Sequence, residues 1–337
     1  MDWKTLLYEY AHSRNRMEAD YDPAVLGPLM DDSLYSRLLQ DKLVRLKDQH
    51  RERSLTPVNR EIRLRILNVR PVQGGMLADI RLHSRFLYRI QGTDHLEERI
   101  EKECVFLSAG RKEWGIAGIE PDLRERLDDA HSFASGVPPA RTSASAAFFS
   151  AAYSQPQLMP NPRAELRKAS AYDRQGAAAY ADRYWESANP AYVEFEVDCS
   201  SYVSQCIFAG GAPMNYTDRR DSGWWYSGMS GSRENWSYSW AVADSLRRYL
   251  SAGRSHGLRA KVAGSAQELE PGDVISYCWK GDGRFGHSTV VAAKDKNGMP
   301  LVNAHTVSSK HRYWDYRDSY AWTENTKYLF FHIADLF

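Results

Sequence analysis

Cysteine is scarce in this chain of 337 residues: Cys104, Cys199, Cys206 and Cys278 are its whole complement, and no two stand in a C-x-x-C pair. That spacing argues against a disulfide framework and against a structural zinc site. Net charge is missing as well. The 44 basic and 43 acidic side chains leave a formal charge of +1, so no overall field steers the protein to nucleic acid or to an anionic membrane. Nor is there a long apolar run of the roughly 18 residues needed to span a bilayer. The opening stretch "MDWKTLLYEYAHSRNRMEAD" is charged from residue 2 and lacks the apolar segment of a secretion signal. These absences predict a protein without a membrane span, cytoplasmic by default, and nothing in the pattern sets its oligomeric state.

The 43% of hydrophobic residues is enough to build real cores, and a chain of this length is expected to make two domains. Residues 1–54 read as two helices. The second, "DSLYSRLLQDKLVRLKDQHRER", carries Leu38, Leu39, Leu43 and Leu46 at helical spacing behind an Asp32/Ser33 cap signal. Alternating runs come next: Ile62, Leu64 and Ile66, the turn "VQGG" at 72–75, then Met76, Ala78, Ile80 and Leu82, with "RIEKECVFLS" and "EWGIAGIE" beyond. Helices followed by an antiparallel meander predict an α+β accessory domain over residues 1–120. Its His83 and His95 lie in polar surroundings and read as exposed. An Ala/Ser/Pro-rich stretch then reads as a linker over 121–167, and a second domain is expected over 168–337.

The second domain holds the chemistry. In "VDCSSYVSQCIFAGG", Asp198 and Ser200 are capping residues, while Tyr202, Val203, Cys206, Ile207 and Ala209 have the spacing of a buried helical face stopped by Gly210 and Gly211. Cys199 thus falls at a helix start, where the dipole and a nearby histidine activate a thiol. Cys206 reads as packing. In "LEPGDVISYCWKGDGRFGHSTVVAA", His287 begins the return strand of a hairpin, a rigid place from which to aim an imidazole at that helix. Asn303 and His305, two apart in "PLVNAHTVS", project from one strand face, and either could orient His287.

The blocks "DCSSYVSQ", "LEPGDVISY", "GHSTVV" and "NAHT" resemble, in order, those of NlpC-like cell-wall peptidases and their CHAP amidase relatives. A closer resemblance is to the amidase domain family of Gram-positive bacteria, carried by "YDRQGAAAYADRYW", "NPAY", "DCSSYVSQCIFAGG" and "SYSWAVADSLRRYL" over about residues 172–335. Ser201 departs from it, standing where that family usually has asparagine. The resemblance implies a papain-like fold beside an N-terminal domain of helices packed on a curved antiparallel sheet. It implies Cys199 as nucleophile, His287 as general base and acid, and His305 or Asn303 as the orienting residue. It also implies a cysteine amidohydrolase or peptidase cutting a short peptide, such as a peptidoglycan stem peptide, without metal or organic cofactor. Such an enzyme would reach the wall by lysis or a dedicated route, or would work inside the cell on a peptide, a precursor or an acyl conjugate. An acyltransferase using the same thioester, or a non-catalytic binding module, would fit the same fold.

Several residues carry plainer alternatives. Cys199 can also be read as a buried structural thiol, free cysteine being among the most buried of residues. Asp273 in "PGDV" reads as a turn former, and His256, His311 and His332 as structural or exposed. For the oxyanion the backbone N–H of Cys199 is the natural donor, with Tyr192 or Asn189 upstream as a second. The segment holding Trp224, Trp225, Tyr226, Trp236, Tyr238 and Trp240 suits either a substrate groove, with Trp224 and Trp225 as substrate contacts, or ordinary core.

Overall fold

A computed structural model describes residues 1–30, 32–110, 113–126, 170–231 and 233–337. Two aspartates start its N-terminal helices. Asp2 accepts from the amides of Lys4 and Thr5 at the head of α1 (Trp3–Asp20), and Asp32 accepts from Tyr35 at the head of α2 (Ser33–Glu52). The other oxygen of Asp32 takes the amide of Ile119 at 3.2 Å, so the cap also ties the helix to the sheet beneath it. Leu39, Leu43 and Leu46 are buried as their spacing predicts, joined by Tyr35, whereas Leu38 is half-buried.

The sheet starts as three long strands, β1 (Thr56–Val72), β2 (Gly75–Ile90) and β3 (Thr93–Ala109), and continues with β4 (Trp114–Pro121). Two-residue loops join the first three. Gln91 and Gly92 both adopt positive φ, the backbone a tight hairpin needs. Hydrophobic alternation alone predicts shorter strands, because charged residues occupy the inner face: Glu97, Arg99, Glu101 and Glu103 of β3 are all buried. They are paired instead. Arg14 lies 2.6 Å from Glu103 and Lys42 lies 3.0 Å from Glu101, while Tyr10 and Tyr35 donate to Glu103 at 2.6 and 2.8 Å. This buried network lies between the helical hairpin and the sheet, beside a hydrophobic cluster that includes Leu7, Leu43, Ile80 and Leu107.

The later half supplies α3 (Arg174–Tyr184), α4 (Cys199–Ala209), β5 (Tyr226–Ser230), β6 (Arg233–Trp236), α5 (Tyr238–Ala241) and α6 (Ala243–Leu250). Six strands complete it: β7 (Ala260–Ala263), β8 (Val274–Cys278), β9 (His287–Lys294), β10 (Pro300–Ala304), β11 (Ser309–Tyr313) and β12 (Lys327–Ile333). One antiparallel sheet of ten strands runs through both halves in the order β1-β2-β3-β11-β10-β9-β8-β12-β7, with β4 also on β3. The join is short, Ser309 opposite Arg99 and Lys310 opposite Glu98, and it is reinforced by Arg99 at 2.6 Å from Asp318. The molecule is α+β, with helices on a large antiparallel sheet.

Of the expected linker, residues 127–167 lie outside the described residues. Residues 121–126 are packed against the later half. Glu125 is buried and accepts from Arg312 at 3.1 Å and from Ser319 at 2.5 Å, and Arg124 donates to the Thr306 carbonyl at 2.8 Å.

Candidate active site

The two faces of the sheet sort the predicted residues. Val274 pairs with Val290, and Val290 with Asn303; Val274 and Val290 share a core with Tyr202, Val203, Cys206 and Ile207 of α4. One residue along each strand, Ile275, Tyr277, Val291 and Val302 join Trp279 and Tyr316 in a second core. Side chains alternate across a strand, and His287 pairs with Tyr277, so it belongs to this second face. Its ring lies 5.5 Å from Tyr277, 5.3 Å from Tyr316 and 5.8 Å from Trp279. Burial, aided by Arg312, pulls its pKa down to about 3. The expectation that His287 serves Cys199 as base is therefore corrected: the sheet stands between His287 and the helix that carries Cys199.

Asn303 and His305 do share a face, the α4 side, but neither orients His287. Asn303 donates to Asp182 at 2.8 Å and accepts the His311 amide at 2.8 Å. His305 stacks on Tyr202 with ring centroids 4.0 Å apart and an interplanar angle of 18°. Its Nδ1 lies 2.8 Å from Asp198 Oδ2 and its Nε2 lies 2.6 Å from the Tyr184 carbonyl oxygen. Asp198 makes no side-chain cap on α4; its carboxylate is committed to His305. Burial pushes the Asp198 carboxyl up, and the hydrogen bond and charge of His305 pull it back. With an acceptor at each ring nitrogen, the pair is either imidazolium with carboxylate, or a carboxylic acid donating to Nδ1 while Nε2–H donates to Tyr184.

Cys199 is the first residue of α4 and is 2% exposed. Its Sγ lies 3.7 Å from Ser200 Oγ. Tyr202, three residues on and on the same flank of the helix, carries the His305 ring. The cysteine thus comes directly after the aspartate that holds His305, and Asp198 and His305 line a cleft of about 460 Å³. Arg81, Lys102, Arg124, Glu194 and Glu196 are among the other residues around it. Cys206 is fully buried and burial drives its thiol pKa well up, in keeping with a packing role.

The remaining expectations divide. Asn189 donates to Tyr180 at 2.8 Å, Tyr180 to Gln205 at 2.8 Å, and Gln205 to Ser201 at 3.0 Å, a chain that reaches the first turn of α4. Tyr192 is half-buried and packs its ring 5.0 Å from Tyr226 and 6.0 Å from Trp240. Trp224 and Trp225, at 0% and 1% exposure, are core. Trp224 donates to Ser204 at 3.0 Å and Trp225 to the Ser222 carbonyl at 3.0 Å, so they are not substrate contacts. Asp273 is more than a turn former. Fully buried, it accepts from Arg174 at 2.7 Å, from the amide of Ile333 at 2.9 Å, and lies 2.8 Å from His332 Nδ1. His83 is half-buried, 3.1 Å from Glu98, and His95 stacks on Tyr88. Sequence reasoning missed the Asp198–His305 pair, because an aspartate before a helix reads as a cap. Among the described residues no group of three or more His, Cys, Asp or Glu side chains is placed to hold a metal ion, and no helix is long and apolar enough to cross a membrane.

Comparison with known proteins places this site inside a matched segment. Residues 171–331 match the family described as "Putative amidase domain". The uncharacterized protein YhbB of Bacillus subtilis (strain 168) is 51% identical over 173 residues, which is 51% of this chain and 54% of that protein. The chain therefore spans about half the length of the curated relative it matches. No solved structure matches it.

Proposed function

We propose that residues 171–331 form a cysteine amidase in which Cys199 is the nucleophile, His305 moves its proton and Asp198 orients His305. The observation that supports this reading is the Asp198–His305 contact at 2.8 Å on the residue preceding Cys199, within a segment matching an amidase domain. A thiolate at the first turn of a helix is favoured by the local amides and dipole. In the reacting state His305 has left the Tyr184 carbonyl and given its Nε2 proton to solvent; neutral, with Nδ1–H donating to the Asp198 carboxylate, it takes the thiol proton through Nε2, and Asp198 stabilises the imidazolium. The sulfur then attacks the amide carbonyl. Because the Asp198 side chain does not cap α4, backbone amides of the first turn can face the oxyanion. Collapse breaks the C–N bond, the amine leaves with the proton from His305, and water, deprotonated by His305, hydrolyses the thioester to regenerate the thiol. In this reading the cysteine-bearing helix packed against an antiparallel sheet is the core of a papain-like fold. A short peptide, with peptidoglycan stem peptide as the leading example, is the substrate in this reading.

Incubating purified muropeptides and simple acyl-peptide amides with wild type and Cys199→Ser tests the reaction by mass spectrometry. Release of amine with gain of water by wild type alone is expected. No mass change with either panel, or equal change with Cys199→Ser, overturns the reading.

A further inference from the structure

Several side chains fasten the N-terminal half to the later one, and one of them reaches the Asp198–His305 pair from both sides. Arg124 stands in a short 3-10 turn, Arg124–Arg126. Its Nε and Nη2 donate to the two oxygens of Asp122 at 2.8 and 2.6 Å, a fork that fixes the plane of the guanidinium. Held so, Nη2 also donates to the Thr306 carbonyl at 2.8 Å, and Nη1 to the Glu196 carbonyl at 3.3 Å. Thr306 follows His305 directly, and Glu196 lies just ahead of Asp198 with one residue between them. Both contacts fall outside helix and strand: His305 opens the turn 305–308 between β10 and β11, and Glu196 belongs to the irregular stretch before α4. Thr306 has φ 81°, where a β-branched residue does not settle by its own preference. Its Oγ1 makes no hydrogen bond among the described residues, so the turn is held from outside. The N-terminal half supplies that hold twice, through Arg124 at Thr306 and through the Ile100 amide, which donates to the Ser308 carbonyl at 2.8 Å. Other fastenings land away from the pair: Arg126 donates to the Tyr320 carbonyl at 2.5 Å, and Arg45 to those of Arg317 and Ser319 at 2.7 and 3.1 Å. A backbone held in a rare conformation beside a reactive group is commonly part of how that group works.

We propose that Arg124 is a positioning residue for the Asp198–His305 pair, through which the N-terminal half sets how the two side chains meet. Asp198 and His305 are 107 residues apart in the chain, and the guanidinium draws a carbonyl beside each of them to one point. Asp122 orients that guanidinium and takes up its charge, so Arg124 serves as a fastening and not as a charge for substrate. The catalytic consequence rests on the amidase reading; the contact between Asp198 and His305 is measured apart from it.

The test is the downfield proton NMR spectrum of the full-length chain. A proton held between His305 Nδ1 and Asp198 Oδ2 resonates far downfield whichever atom it is bonded to, and its loss in His305→Ala assigns it. Wild type should show the resonance and Arg124→Gln should lose it. Asp122→Asn, which loosens the fork, should broaden it or move it upfield. Arg126→Gln, which also removes a contact between the halves, should keep it. On the acyl-peptide amides of the cleavage assay, Arg124→Gln should lower kcat at least about tenfold with KM within about twofold, since misplacing reacting groups by about 1 Å can cost about a hundredfold in rate. Absence of the resonance from wild type, its retention in folded Arg124→Gln, or its equal loss in Arg126→Gln overturns the positioning role. Should Arg124→Gln fail to fold, an unchanged resonance in Asp122→Asn overturns it. If the resonance depends on Arg124 while wild type releases no amine, the amidase reading fails and the positioning role does not.

Discussion

At the scale of single residues, His287 and His305 stand on opposite faces of a sheet in different surroundings. His287 is buried among aromatic rings with a pKa near 3 against an ordinary value of 6.5. The folded state therefore declines a proton that the unfolded chain accepts. Its contribution to stability is complete above about pH 6.5 and is lost as pH falls from there toward 3, by up to about 1.4 kcal/mol per pH unit. His50, lowered to about 3 chiefly by burial, acts with the same sign. His287→Phe should flatten part of that acid slope in urea unfolding between pH 6.5 and 4, with His50 and the likewise lowered His95 still contributing. An unchanged slope would mean that His287 is not buried neutral. His305 is legible in the sequence as a candidate but its partner is not, since a contact with Asp198, 107 residues away in the chain, leaves no local pattern. Asp198→Asn should lower the rate of amide cleavage by at least about tenfold and shift its pH profile, whereas a merely structural Asp198 would change stability without moving the profile.

At the scale of elements, helical periodicity is a faithful guide where apolar residues carry it, as in α2. It misleads where buried charges replace them. β3 hides its inner face behind Glu97, Arg99, Glu101 and Glu103, so hydrophobic alternation stops short of the true strand. Those charges are tolerable only while paired. Arg14→Met removes a cation from beside Glu103, Glu101 and Glu18 and should cost about 3–5 kcal/mol in chemical unfolding; a loss below about 1 kcal/mol would show the network to be dispensable. The parity of β9 is equally hidden. A hairpin start is a good mount for an imidazole aimed at α4, but which face His287 points to depends on register with Tyr277, which sequence alone does not set. Gly272, leading into β8, has φ +86, and an added Cβ would meet the Tyr172 hydroxyl at 2.8 Å. Gly272→Ala should therefore destabilise the protein by about 1–3 kcal/mol, and a neutral outcome in thermal unfolding would contradict this tight approach.

At the scale of the whole molecule, chain length predicts two domains, and the described structure joins its two halves through one sheet. The join rests on a two-pair strand contact and on the Arg99–Asp318 and Arg312–Glu125 ion pairs. All four of those side chains are charged, so their burial could not be anticipated from hydropathy. The same join brings Arg81 and Lys102 to a cleft otherwise built largely from the amidase-matched half, which gives the N-terminal sheet a part in the site. Cys199 and the helix around it are legible from the motif alone, while the Asp198–His305 pair is not, because the histidine block nearest to the resembled pattern, at His287, sits on the far face. The direct measurement is peptide-mapped mass spectrometry after brief treatment with iodoacetamide at pH 6–7 of wild type, His305→Ala and His287→Phe. Selective modification of Cys199 in wild type and His287→Phe, lost in His305→Ala, is the expected result; labelling of Cys199 that survives without His305 but requires His287 would contradict it.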